Sequence, residues 1–224
     1  MNEEIKDKIQ KLILDSGYTA HDYVFKNDLA SSNNSVGLSK WLSKEIEEID
    51  ECINNLEAKN GLKCVCKKGC AECCKQLIVV LSSEIIAYDS FIRKLDENTQ
   101  NIIKKRTYEA CELLEKHGIS NHRVQGYISK SEEEKFQNEY FELDIPCIFL
   151  DSDNSCIVHA IRPSLCWSYR EYYNADKCKQ SCFSDTGLKF DDWEKVFTDR
   201  LIKIRKPHKG LMILPFAIKE LMHW

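Results

Sequence analysis

The stretch from Lys63 to Leu81 constrains this chain most, because it is far richer in cysteine than packing or turn formation requires. Five cysteines fall within eleven consecutive positions: Cys64, Cys66, Cys70, Cys73 and Cys74. In a reduced cell, thiolates are the preferred ligands of zinc, copper(I) and iron–sulfur clusters. The sequence therefore predicts a soft-metal site, and every other segment has to be consistent with it.

Composition limits the class of protein. A chain of 224 residues can bury one substantial core. Charged residues make up 30% of the chain and nearly balance, with a formal net charge of −4, which argues against a strongly basic nucleic-acid binder. Glycine (8) and proline (4) are scarce, whereas Ile, Leu, Lys and Glu are abundant, so we predict a mostly helical chain.

The twelve cysteines are predicted to lie in the cytoplasm. The first residues alternate charged and apolar side chains and lack the apolar run of a secretory signal. No stretch approaches the roughly 18 apolar residues of a membrane span. Structural disulfides are uncommon in a reducing compartment, and the rival class, a secreted disulfide scaffold, would be shorter and would carry a signal peptide.

Apolar residues at steps of three and four predict a single mainly α-helical domain over residues 1–224. Cys52 and Cys111 lie on the apolar sides of two of these helices, so we expect them to pack in the core. In the first half, helices are predicted over 2–15 with a stop at Gly17, over 38–56 with a stop at Asn60-Gly61, and after a cap at Ser82 or Ser83. A helix over 98–117 follows, and a capping box of Ser131 and Glu134 begins the next. The last two helices are predicted from Trp193 to Ile204 and from Pro215 onward. A loop is predicted over Asn27–Ser35, a short strand or buried segment over Leu77–Leu81, and a small β-hairpin around the turn Asp151–Ser155.

The spacing of the first cysteines suggests how they would bind metal. Cys70 and Cys73 are separated by two residues, which lets two thiolates face one metal ion. Adjacent side chains diverge in extended backbone, so Cys73 and Cys74 are predicted to serve two metals or two corners of one cluster. Cys66, with three residues between it and Cys70, supplies a further ligand.

Three more candidate ligands lie in turn-rich segments of the second half: Cys147, Cys156 and Cys166. A tetrahedral zinc ion or a [4Fe–4S] cluster needs only four thiolates, so these seven candidates exceed one site. Two metals or a cluster would account for them. The metal, zinc or an iron–sulfur cluster, stays open at this point.

Other residues near the cysteines allow two interpretations each. Arg162 would either offset the charge of the thiolates or form a surface salt bridge. His159 is an allowable zinc ligand, although a lone histidine more often is not one. Cys178 and Cys182 would share a helix face and could form a small separate group with Cys64.

Several short motifs in this order resemble the YkgJ-like cysteine-cluster family, described as a zinc- or iron-chelating domain with a CxxCxxCC motif. The motifs that carry the resemblance are Gly69–Cys74 (GCAECC), Ser83-Glu84, Pro146–Leu150 (PCIFL), Cys156-Ile-Val, and Arg162–Arg170 (RPSLCWSYR). The resemblance covers residues 64–170, and it implies that this stretch is a metal-binding core with helical extensions on both sides. The spacer between Cys66 and Cys70 and the residue Ile148 depart from the family pattern.

Two function classes follow. The first is a protein that coordinates zinc or an iron–sulfur cluster through Cys66, Cys70, Cys73, Cys74, Cys147, Cys156 and Cys166, with the metal in a structural role or as cargo. The second is an iron–sulfur or metal-dependent enzyme, because the family is distantly similar to flagellin lysine N-methylases, or an electron-transfer protein.

Motifs for common enzyme classes do not help to choose between these two. The chain lacks a glycine-rich phosphate loop, a G-x-S-x-G and an H-E-x-x-H motif. The basic run 203–209 would be a solvated helix end or a contact for an anionic partner. We expect a metal ion or cluster as partner, no membrane and no nucleic acid, with a protein partner possible.

Overall fold

The computed structural model describes residues 3–26, 34–124, 129–181, 184, 186–204 and 210–224, and the fold is mainly α, as predicted. The helices of this part of the chain are α1 (Glu3–Asp22), α2 (Ser35–Lys59), α3 (Ser82–Ile92), α4 (Glu97–Lys116), α5 (Lys130–Glu142), α6 (Ser164–Ser168), α7 (Asp191–Ile204) and α8 (Leu214–Leu221). Its strands are β1 (Val79–Leu81), β2 (Tyr169–Glu171), β3 (Gly187–Lys189) and β4 (Leu211–Ile213).

Helix α2 is the central element of the core. Its start is fixed by Asn34, whose side chain accepts a hydrogen bond from the backbone N–H of Gly37. It ends as predicted at Asn60, and Gly61 follows with a φ of 63°. Apolar residues at helical spacing bury one face against α3 and the other elements: Leu38, Leu42, Ile46, Ile49, Ile53 and Leu56.

Helix α1 continues past Gly17, where the sequence predicted its end. A Cβ at position 17 would lie 3.0 Å from Asp192 Oδ2, so glycine lets α7 approach closely. The extended helix also turns Ile13 outward: it is 44% exposed, whereas Leu12 is fully buried.

The strands of the described residues form two short antiparallel sheets of two strands each. Strand β1 pairs with β4 in a register that places Val79 opposite Ile213, which confirms a strand within Leu77–Leu81. Strand β2 pairs with β3, with Tyr169 opposite Lys189. The hairpin predicted around Asp151–Ser155 is reduced to one bridge between Leu150 and Cys156, closed by the hydrogen bond from Asp151 N to Ser155 O (2.8 Å).

Two predicted caps are wrong. The capping box of α5 consists of Ser129 and Glu132, two residues before the predicted pair. Helix α3 begins at Ser82 after Leu81, which makes no side-chain cap. Helices α4 and α7, by contrast, bury the predicted apolar residues, including Ile103 and Trp193.

Some predictions fall outside the described residues. These are most of the Asn27–Ser35 loop, Cys182, and the greater part of the basic run 203–209. Within the described ranges, none of the helices has an apolar stretch long enough to span a bilayer.

Candidate metal centre

The cysteine-bearing segments of the two halves meet at Cys74. The backbone N–H of Cys147 donates a hydrogen bond to the Cys74 carbonyl oxygen over 2.6 Å. Cys73 and Cys74 belong to a one-turn 3₁₀ helix, Glu72–Lys75, in which their two thiols are hydrogen-bonded to each other. This contact brings segments more than seventy residues apart in the sequence into one place.

A first group of thiols, the inner group, consists of Cys73, Cys147, Cys156 and Cys166. Burial first, and then the neighbouring Cys156 and Cys73 thiols, raise the pKa of the Cys147 thiol to about 12. The pKa of Cys166 lies well above its usual range, because of burial first and then Cys147, Cys73 and Cys156. The pKa values of Cys147, Cys156 and Cys166 are thus each raised in part by the Cys73 thiol.

Cys166 is brought to the inner group by helix α6. Pro163 occupies the cap position of this short helix, and its carbonyl oxygen accepts a hydrogen bond from Cys166 N (2.9 Å). Proline has no N–H to leave unsatisfied at this point, so it suits a helix start. Leu165 and Trp167 on either side of the cysteine are buried and anchor the helix in the core.

A second group, the outer group, consists of Cys64, Cys66, Cys70 and Cys178. The backbone N–H of Cys66 donates to Cys64 Sγ over 3.3 Å. A hydrogen bond from the Cys64 thiol lowers the pKa of Cys66, as do the backbone N–H of Glu171 and the charge of Arg170. Cys66 is exposed, whereas Cys178 is buried, so the outer group extends from the surface into the protein.

Cys178 is the member of the outer group for which the sequence predicted only a small separate group with Cys182 and Cys64. It is buried in a 3₁₀ helix, Ala175–Lys179, that packs against Glu72–Lys75. Burial raises the pKa of Cys178 to about 12, and after Glu171 its charged neighbours are Cys66, Cys73 and Cys70. The sequence did not predict the proximity of Cys178 to Cys66, Cys70 and Cys73, because it depends on the path of the chain after β2.

Glu171 fastens the outer group to strand β2. Its carbonyl oxygen accepts from Val65 N (2.9 Å), between Cys64 and Cys66. Its side chain accepts from the backbone N–H of Tyr173 (2.8 Å) and from the hydroxyls of Ser184 and Thr186. These hydrogen bonds, with burial acting in the opposite direction, leave the pKa of Glu171 below its usual range. The carboxylate thus orders the turn that leads to Cys178.

Buried charges tie the centre to helix α2. Arg170 donates to Glu57 Oε1 (2.9 Å) and to Asp50 Oδ1 (3.0 Å), and Tyr172 donates its hydroxyl proton to Glu57 (2.8 Å). Arg170 is only 9% exposed. Sequence analysis did not predict this role of Arg170, since its partners lie more than a hundred positions earlier.

Arg162 combines its two predicted roles. Its guanidinium is 12% exposed and pairs with Asp50, so the salt bridge is not on the surface. Its charge also acts on Cys156, where it opposes the rise in pKa that burial causes. His159, the other candidate beside Cys156, is exposed, and burial and Arg162 lower its pKa.

The core cysteines lie where the helix patterns predicted. Cys111 is fully buried in α4, and burial raises its pKa to about 11. Cys52 is half-buried in α2 and packs against the core.

The donor set has the right chemistry for a soft metal, but its atoms do not surround a single point. The cysteines of the described residues are free thiols. In this part of the chain, however, no three side chains from His, Cys, Asp and Glu are arranged closely enough to hold an ion. Because the backbone segments are already adjacent, a four-thiolate geometry would require the cysteine side chains to rotate.

Comparisons with protein-family models, curated proteins and solved structures give no match to this chain. The resemblance to the YkgJ-like family therefore rests on the short motifs alone, and the centre has to be interpreted from its own chemistry.

Proposed function

We propose that this protein binds zinc or an iron–sulfur cluster through its clustered cysteines, with the metal in a structural role or as cargo. The ligands are Cys66, Cys70, Cys73, Cys74, Cys147, Cys156 and Cys166, to which we add Cys178. The observation that carries the proposal is the meeting of the two chain halves at Cys74, with the Cys147 N–H bonded to its carbonyl.

The inner and outer groups support a division into two four-thiolate sites. The inner group supplies Cys73, Cys147, Cys156 and Cys166, which already make four thiolates. From the outer group we take Cys66, Cys70 and Cys178 as ligands and leave out Cys64, and the thiolate of Cys74, next to Cys73 in the chain, would complete this second set. Four thiolates suit either a tetrahedral zinc ion or a [4Fe–4S] cluster.

A structural role is supported by the irregular backbone that carries the ligands. Residues 61–71 and 143–158 contain no helix or strand, and their backbone hydrogen bonds come from turns, from the isolated bridge between Leu150 and Cys156, and from single contacts such as that of Val65 N with Glu171 O. Metal binding would couple directly to the folding of these segments, because the sites require deprotonated thiolates held in one place. The same coupling would make removal of the metal destabilising.

The test is to purify the full chain without oxygen, record its visible spectrum, and measure zinc, iron and acid-labile sulfide per chain. We expect one or two equivalents of zinc in a colourless protein, or matched iron and sulfide in a brown one. Cys147→Ser should lower the metal content, whereas Cys52→Ser, at a half-buried cysteine outside both groups, should not. A chain with neither metal, or with its thiols paired as disulfides, would refute the proposal.

A second candidate function, a metal-dependent enzyme or an electron-transfer protein, is favoured by a cleft next to α6. The cleft is lined by Ser164 and Leu165, the residues just before Cys166, so bound material there would lie near the inner group. Matched iron and sulfide would favour this second function over a structural zinc protein.

A further inference from the structure

The cleft next to α6 has a volume of about 430 Å³, enough for a small organic molecule. Its apolar wall includes Leu77, Val79, Phe136 and Leu211, contributed by β1, α5 and β4 and the residues before them. Its polar wall comes from α3, α5 and α7. The cleft is separate from the cysteine groups, because none of their members lines it.

The charge of the cleft is acidic. The charged residues that line it in the described part of the chain are Glu84, Glu133, Asp191, Glu194, Asp199, Lys189 and Lys195. Both lysines are already paired: Lys189 with Glu194 (2.8 Å) and Asp191 (3.1 Å), and Lys195 with Asp199 (2.8 Å). Five acidic side chains thus face two lysines, and Glu84 and Glu133 are the two that pair with neither lysine.

Glu84 is a buried carboxyl group with no cationic partner among the residues that the structure describes. It is 3% exposed, and its Oε1 accepts a hydrogen bond from Ser164 N (2.9 Å). Its charged neighbour is Glu194, another carboxylate, which accepts from the Ser164 hydroxyl (3.0 Å). Burial raises the pKa of Glu84 to about 7. A buried carboxylate ordinarily has a counter-charge, and the cleft is open to one from outside.

Gln137 gives a second and independent sign that a ligand is missing. Its side chain lines the same cleft and is 7% exposed. Its Oε1 is buried and has no hydrogen-bond partner among the described residues. A buried amide oxygen without a donor is costly, so a donor from a bound molecule would be favourable here.

We propose that the cleft binds a small organic cation, an ammonium group on an apolar body, with the ammonium N–H groups donating to Glu84 and Gln137. An ammonium ion supplies both things that the polar wall lacks, a positive charge and hydrogen-bond donors. The apolar wall holds the rest of the molecule. An anion is excluded by the surplus carboxylates, and a neutral alcohol leaves Glu84 without a counter-charge.

The test uses three probes with one apolar body: 4-phenylbutylamine, 4-phenylbutanol and 4-phenylbutyrate. Calorimetric titration of the full chain at pH 8 should show saturable binding of the amine, roughly tenfold weaker binding of the alcohol, and none of the carboxylate. Glu84→Gln should weaken amine binding roughly tenfold and leave alcohol binding unchanged, and Glu47→Gln, at an exposed site on α2, should change neither. Leu211→Trp, which fills the cleft from an edge position, should abolish binding of both amine and alcohol.

Equal binding of amine and carboxylate, or amine binding that is unaffected by Glu84→Gln and by Leu211→Trp, would overturn this proposal. Circular dichroism and thermal unfolding of each variant separate a lost site from a lost fold. Metal content is measured on the same samples. The proposal on the cleft does not depend on the metal, so a metal-free chain that binds the amine would refute only the proposed metal function.

Discussion

The helical body and the cysteine-bearing segments are stabilised in different ways. The body is built on α2, whose apolar face is almost fully buried, so many dispersed contacts hold it. The cysteine segments 61–75 and 143–163 also bury side chains such as Phe149 and Val158, but they contain no α-helix or strand. Polar contacts of strand β2, such as the hydrogen bond from Val65 N to Glu171 O, join them to the body. Burial tolerates the loss of one contact better than a small polar network does. The two regions should therefore respond differently to mutation and to loss of metal.

The largest effect is expected where the two regions join. Arg170→Met would remove the cation from Glu57 and Asp50 and leave Glu57, which is 5% exposed, as an uncompensated buried charge. We expect the free energy of unfolding to fall by about 3–5 kcal/mol, measured by urea denaturation. The matched control is Arg93→Met, at an exposed i,i+4 pair with Asp89, which should change little.

A double variant distinguishes the effect of the unpaired buried charge of Glu57 from the effect of packing lost at Arg170. Adding Glu57→Gln to Arg170→Met removes the unpaired charge, so it should recover part of the lost stability. If the double variant is no more stable than the single one, the interaction is not electrostatic, and the link between α2 and the cysteine segments has to be assigned to packing.

Within the body, Ile53→Ala tests burial alone. Ile53 is fully buried in α2, so we expect a loss of about 2–5 kcal/mol in urea denaturation, with unchanged metal content per folded chain. Ile13→Ala is the control, since Ile13 lies in α1 and is 44% exposed. An equal loss for the two variants would contradict the position of α1, and loss of metal in Ile53→Ala would show that the two regions are not separate.

Glu84, on the body side of α6, should make stability depend on pH. Its pKa is raised by burial to about 7, above the ordinary 4.5, so between these values the folded chain holds a proton that the unfolded chain has released. Stability from this group is thus complete below pH 4.5 and is lost as pH rises through 7. Glu84→Gln should remove this fall and be more stable than wild type by roughly 2–3 kcal/mol at pH 8. The measurement is the free energy of unfolding in urea at a series of pH values. If it depends on pH in the same way for the variant and the wild type, Glu84 does not have the raised pKa.

The sequence predicted the body better than the polar contacts, for a physical reason. The apolar periodicity of α2 and α4 is local, and tertiary burial follows it. The contact of Cys178 with the outer group, the pairing of Arg170 with Glu57, and the approach of Asp192 to Gly17 depend on residues far away in the chain. Nothing in the local pattern around these residues encodes such partners.

The smallest expected loss of stability concerns the capping box of α5, for which the sequence contains two candidate Ser/Glu pairs. Two Ser-x-x-Glu pairs overlap before α5, and the predicted pair was Ser131/Glu134, whereas the box is formed by Ser129 and Glu132. Ser129→Ala removes the side chain that accepts from Glu132 N and should cost about 1 kcal/mol in thermal or urea unfolding. Ser131→Ala, one residue inside the helix, should be close to neutral, because alanine is the better helix former there. If Ser131→Ala were instead the more destabilising variant, α5 would begin two residues later, at the capping box of Ser131 and Glu134. The local sequence would then have been sufficient to predict the start of this helix.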